Sequence, residues 1–149
     1  MDERGQAFAV FKLLIGAILA MMILIIILGA ISYLDQLKID ISKERFYAAL
    51  IDATNQPNGQ ILIVSDIYFD NTSYSRSALG AKMGIDGDCL ELDSIENEIF
   101  VLHSESVEIT RRHLTDVYMV CEPVDDSDFG SYPDECGFGC FISFAKEID

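Results

Sequence analysis

The chain has 149 residues, room for one small domain beside a membrane segment. It holds 25 acidic residues against 10 Lys and Arg, and the imbalance is local: residues 1–34 are neutral, whereas residues 35–149 carry 23 acids and 8 cations. Such a surface repels phosphate backbones and so argues against nucleic acid as a partner, and it suits salty or divalent-rich surroundings that screen self-repulsion.

Charge crowds into the start, "MDERG", and then stops. From Leu13 to Leu34 there are 22 residues without a formal charge. At ~1.5 Å per residue they span about 33 Å as a helix, enough to cross a bilayer core of ~30 Å. A secretory signal has a shorter apolar region, ~7–15 residues, closed by a small-x-small cleavage site. This run is longer and continues into a helical pattern, so it reads as retained rather than discarded. Lys12 near its edge is placed to snorkel. Gly16 and Ala20 make a small-xxx-small pair of the kind that lets helices approach closely in lipid.

The helical pattern continues through "DQLKIDISKERFYAALIDATNQPNG". At 100° per residue, Leu34, Leu37, Ile41, Ala48 and Ile51 fall on one apolar stripe. Ile39, Phe46, Leu50 and Ala53 fall on a second, roughly opposite. Two apolar faces call for two partners: the chain's own domain and neighbouring copies, or one domain wrapped round both. Pro57 and the Asn58-Gly59 turn end the helix, giving an expected extent from about Gln6 to about Ala53.

Strand-like stretches follow: 60–69, a strand after the Asp86-Gly87 turn, 97–104, 106–112, 113–122 and 140–148. "NTSYSRSALGAKMG" reads as a polar loop with room for one helical turn. The expected fold is α+β, a long N-terminal helix followed by an antiparallel β-sheet head domain in a meander. Its divisions are a leader at 1–5, the helix at 6–54 and an extracellular β-rich head at 55–149.

Cys89, Cys121, Cys136 and Cys140 all lie in the acidic part. An even number in a small domain tied to a membrane segment points to disulfides in an oxidising compartment. The expected pairing is Cys121–Cys136, closing the acidic loop, with Cys89–Cys140 joining two strands. Asn71-Thr72-Ser73 fits the N-x-[ST] glycosylation pattern. The loop "DDSDFGSYPDE" concentrates acids, and Asp126 and Asp128, with Asp134 and Glu135, are weak calcium candidates. A solvated acidic loop is the favoured reading, and no cofactor is expected. His103 and His113 lie in no metal or nucleophile motif, no Gly-flanked serine suggests a hydrolase, and the chain reads as a non-enzyme.

The string Arg4-Gly5-Gln6-Ala7, followed by "FAVFKLLIGAILAMMILIIILGAISYL", resembles the class III signal peptide of archaeal type IV pilin-like proteins. The resemblance covers the leader and helix, about the first 30–50 residues. It implies that a membrane aspartyl prepilin peptidase cuts between Gly5 and Gln6. The apolar segment then serves first as membrane anchor, with the N-terminus cytoplasmic, and later as the packed core of an extracellular homo-oligomeric filament. Many type IV pilins carry Glu at the fifth mature position, where this chain has Val10, and Lys12 is an unusual charge for a filament core. The resemblance implies a structural pilus subunit with a role in adhesion, and it favours a glycan at Asn71. The alternative is a bitopic membrane protein whose head binds an envelope partner and never polymerises.

Overall fold

A computed structural model describes residues 3–55, 57–95, 97–126 and 130–148, with the backbone alone for 3–9 and 126. The chain divides into two units, Met1–Lys38 and Ile39–Asp149. The first is helical. Helix α1 runs Glu3–Asn55, 53 residues. Its apolar stretch is long and apolar enough to cross a membrane, and the side chains from Val10 to Leu34 are exposed throughout. The helix stops where Pro57 and the positive φ of Gly59 turn the chain.

The second unit takes in the last turns of α1 and two β-sheets. Strands β1 (Leu62–Phe69), β6 (His113–Pro123), β7 (Phe138–Phe144) and β3 (Leu90–Ser94) form one sheet in the order β1-β6-β7-β3. Strands β2 (Thr72–Ser75), β5 (Ser106–Ile109) and β4 (Phe100–Leu102) form the other, in the order β2-β5-β4. The α+β class is as expected. The single antiparallel meander is not: β4 and β5 make a hairpin in the smaller sheet, and β3 pairs with β7 in parallel. Parallel neighbours cannot be joined by a tight turn, and here the whole β4–β6 segment lies between them.

A second correction is helix α2, Arg76–Met83, eight residues long where a polar loop with one helical turn was expected. The Ser75 hydroxyl accepts from the Ala78 N–H at 3.2 Å, and Gly84, at φ 75°, closes the C-terminus in the left-handed region. A serine N-cap and a glycine C-cap bracket the helix. Gly80 and the 3-10 turn Gly87–Cys89 then touch closely; a Cβ on Gly80 would lie 2.9 Å from the Ile85 carbonyl oxygen.

The stripe Ile39, Phe46, Leu50 and Ala53 is buried, and its last three residues join the core between the sheets. Phe46 is the hub. Its ring meets Phe69 of β1 and Tyr74 of β2 edge-on, both at 5.5 Å, and Phe144 of β7 at 6.0 Å. The α1 side chains also lace the β1 edge. Ser42 Oγ accepts from the Tyr68 N–H at 3.0 Å, and Arg45 Nη2 donates to the Ser65 carbonyl at 3.1 Å. Between these contacts β1 bulges at Asp66, φ 58°, whose N–H donates to Asp116 Oδ1 at 2.9 Å. An edge strand satisfied by a helix offers less of a template for stray pairing.

Truncating the hub tests this packing. Phe46→Ala should destabilise the second unit by about 3–5 kcal/mol, read from the denaturant midpoint of the detergent-solubilised chain. A change below ~1 kcal/mol would mean that α1 is not part of the cooperative core.

Candidate functional site

The two helix stripes have opposite fates. Ile39, Phe46 and Leu50 are at most 1% exposed. On the other stripe, Ile41 is 50% and Ile51 49% exposed, and Ala48 is exposed as well. The second unit therefore does not wrap both faces of its helix. Leu34 and Leu37 in the first unit are exposed too. Within that unit a methyl added at Gly16 or Gly29 would meet nothing within 4 Å. Glycine costs a helix ~0.5–1 kcal/mol relative to alanine, and nothing in the described chain requires it at these two places. The string Arg4-Gly5-Gln6 lies in the first turns of α1, where the backbone alone is described.

All four cysteines are in disulfides, but the pairs are Cys89–Cys136 and Cys121–Cys140. This overturns the expected pairing, and register explains why. Cys140 stands between two neighbours on β7: Cys121 directly opposite on β6, and Leu90 opposite on β3. Leu90, rather than Cys89, shares its face, since side chains alternate along a strand. Cys89, one position earlier in the 3-10 turn, bonds instead to Cys136 of the acidic loop. That loop is thus tied to the start of β3 and not to β6.

Tyr132 of the loop lies against Gly139 and Gly130, where any Cβ would collide with its ring. Burial, followed by the nearby Glu91 carboxylate, raises the Tyr132 phenol well above its ordinary range; burial does the same to Tyr74. Neither phenol ionises at ordinary pH.

Asn71 sits exposed at the bend between β1 and β2, outside the compact core. Its N–H donates to Asp70 Oδ1 at 2.9 Å, and Asp70 also accepts from Arg112 Nε at 3.0 Å. Asp126 ends a 3-10 turn, Val124–Asp126, while Asp128 lies outside the described residues. Among the described residues no three His, Cys, Asp or Glu side chains gather as a metal site. His103 pairs with Glu108, Nε2 to Oε2 at 3.3 Å, in the open, and His113 packs edge-on against Phe100. A half-open cleft of about 300 Å³ where α1 ends is lined, among the described residues, by Asp52 with neutral neighbours such as Asn58 and Gln60. A smaller one, about 150 Å³, gathers Arg76 with Asp86, Asp88 and Glu105. Sequence reasoning did not foresee either cleft, because each joins residues from separate turns.

Protein-family models, characterised proteins and solved structures were compared with this chain, and none matches. A long apolar N-terminal helix followed by a disulfide-bonded β domain is compatible with a pilin-like fold and equally with a bitopic protein.

Two outcomes follow from this geometry. By loop entropy the Cys89–Cys136 link, spanning 47 residues, contributes about 4 kcal/mol, and Cys121–Cys140, spanning 19, about 3 kcal/mol. In Cys89→Ser the thiol found by alkylation without reductant should be Cys136; labelling at Cys140 would contradict the pairing. The Arg112 guanidinium, and then the Asn71 N–H, hold the Asp70 carboxyl below its ordinary 3.8. A lowered folded value stabilises the fold above the unfolded value and loses that contribution as pH falls through the folded one. The Asp70 side chain keeps 37% of its surface open to solvent, so the effect is small. Asp70→Asn should lower stability slightly at neutral pH, where the ionised carboxylate contributes, and flatten the curve below about pH 4, where that contribution is lost anyway, as thermal melts across pH would read.

Proposed function

We propose that the chain is a structural subunit, major or minor, of an archaeal type IV pilus-like surface filament. The observation that carries this reading is the helix with one apolar stripe buried in its own domain and the other bare. Solvent exposure of Ile41 and Ile51 forgoes burial worth roughly 1.5–3 kcal/mol per large side chain, and a second copy of the helix would recover it. The open glycines Gly16 and Gly29 support the same reading, since close helix approach is a use for a glycine that its own fold does not need.

In this reading the precursor sits in the cell membrane with its N-terminus cytoplasmic. Prepilin peptidase removes residues 1–5, and the mature chain enters the filament through its N-terminal helix. The acidic domain faces solvent outside the cell and is the part available for adhesion. Its disulfides suit that compartment. The role is structural, not enzymatic, and needs neither cofactor nor nucleic acid. Val10, in place of the frequent Glu, and Lys12 favour a second reading, a bitopic envelope anchor that keeps its leader and never polymerises.

The intact mass of the protein from native membranes or sheared surface material separates the two. Loss of Met1–Gly5, leaving Gln6 or its cyclised form first, is the expected result. A chain beginning at Met1 or Asp2 would favour the anchor. In the same cells Ile41→Asp should abolish sheared filaments while moving the domain's own stability by no more than ~0.5 kcal/mol, as for an ordinary surface substitution. Normal filaments from Ile41→Asp would remove the bare stripe from the assembly.

A further inference from the structure

The Asn71 sequon is not used by the assembly reading, and its place in the fold gives it a role. β1 is one of the two outer strands of the four-stranded sheet and β2 one of the two outer strands of the three-stranded one. Asn71 lies at the bend where the first passes into the second. Asn71 and Ser73 are both exposed. The Asn71 carboxamide makes no hydrogen bond to any described residue, and no ion pair or ring contact occupies it. On the backbone side, Asp70 Oδ1 accepts from the Asn71 N–H and from Arg112 Nε, and Thr72 to Ser75 pair with Ile109 to Ser106. The bend thus presents an amide and a hydroxyl two residues apart to solvent. An exposed sequon at a bend is what the acceptor pattern calls for.

We propose that Asn71 is N-glycosylated, with a lipid-phosphate-linked oligosaccharide as donor. A bond forms between the sugar's anomeric carbon and Asn71 Nδ2. The anomeric carbon–oxygen bond to the lipid phosphate breaks, Nδ2 gives up one proton, and the lipid phosphate leaves with the electron pair. No oxidant or reductant is involved. The glycan stands at the corner where two edge strands meet, three residues beyond Tyr68, whose N–H donates to Ser42 of the helix. Bulk and hydration there hinder edge-on pairing with another chain. The proposal rests on the reading that this domain lies outside the membrane, and on nothing about polymerisation.

The test is peptide mass mapping of the protein purified from its native membranes. Trypsin releases Phe46–Arg76, which contains Asn71 and no cysteine. The expected result is a peptide heavier than its amino acids by at least one sugar. The addition should vanish in Asn71→Gln and in Ser73→Ala, and persist in Ser73→Thr. Ser73→Ala keeps Asn71 and its backbone contacts, so its loss of sugar reports recognition and not misfolding. A native peptide at its unmodified mass overturns the proposal, as does sugar retained in both Asn71→Gln and Ser73→Ala. The intact mass read alongside keeps the two questions apart. Sugar on a chain that retains its leader leaves this site standing without the pilin reading. A chain starting at Gln6 with a bare peptide does the reverse.

Discussion

The packing of Phe46 against Phe69, Tyr74 and Phe144 is the interaction on which the second unit depends. These four rings come from α1, from the outer strands of both sheets and from β7. Aromatic pairs of this geometry add ~0.5–1.5 kcal/mol each beyond the area they bury. Two sheets of four and three short strands could not enclose a core alone, since a small domain buries too little of its surface. The helix supplies the missing wall. The same turns that carry Phe46 carry Ser42 and Arg45 to the β1 edge, so one helical segment fills the core and satisfies an open strand.

That commitment of one face leaves the other defined. A helix has a single rotation once Ile39, Phe46 and Leu50 are buried, and Ile41, Ala48 and Ile51 are then held outward. The bare stripe follows from the geometry of the core, so no local rearrangement hides it without undoing the Phe46 cluster. Copies that bury it must also bring acidic domains together. The charge on residues 35–149 makes that approach costly at low ionic strength and cheaper as salt shortens the Debye length to ~10 Å at 0.1 M. Apolar contact along the helices and screening of the domains therefore act together.

The sequence made the helix and both of its stripes legible, because a 3.6-residue period over many turns is a strong signal. It also located all the strands but β2, with β-branched and aromatic runs clear at 62–69 and 113–123; Thr72–Ser75 lay in the stretch expected as a polar loop. What it hid was long-range. Nothing local tells that β3 lies parallel to β7, or that β4 and β5 leave the main sheet, because strand partners are chosen by the core. The disulfide error is the same failure: Cys121 and Cys140 meet through register, which cannot be read before the pairing of β6 and β7 is known. Helix α2 was a different kind of miss. Its Ser75 and Gly84 caps were in plain view, and polar composition outweighed them. Of the candidate site, the exposed sequon and the cysteine inventory were legible; the bare face of the helix needed the structure, since the pattern alone allowed one domain to cover both stripes.

The central claim is that one face of α1 belongs to the chain's own core and the opposite face to another copy. A photo-crosslinking amino acid placed at Ile51 or at Ile41 in living cells reads this most directly. The account predicts an adduct at the mass of two copies, joined helix to helix, at both positions. Adducts with a different protein alone, or none from either position in cells that bear surface filaments, would contradict it.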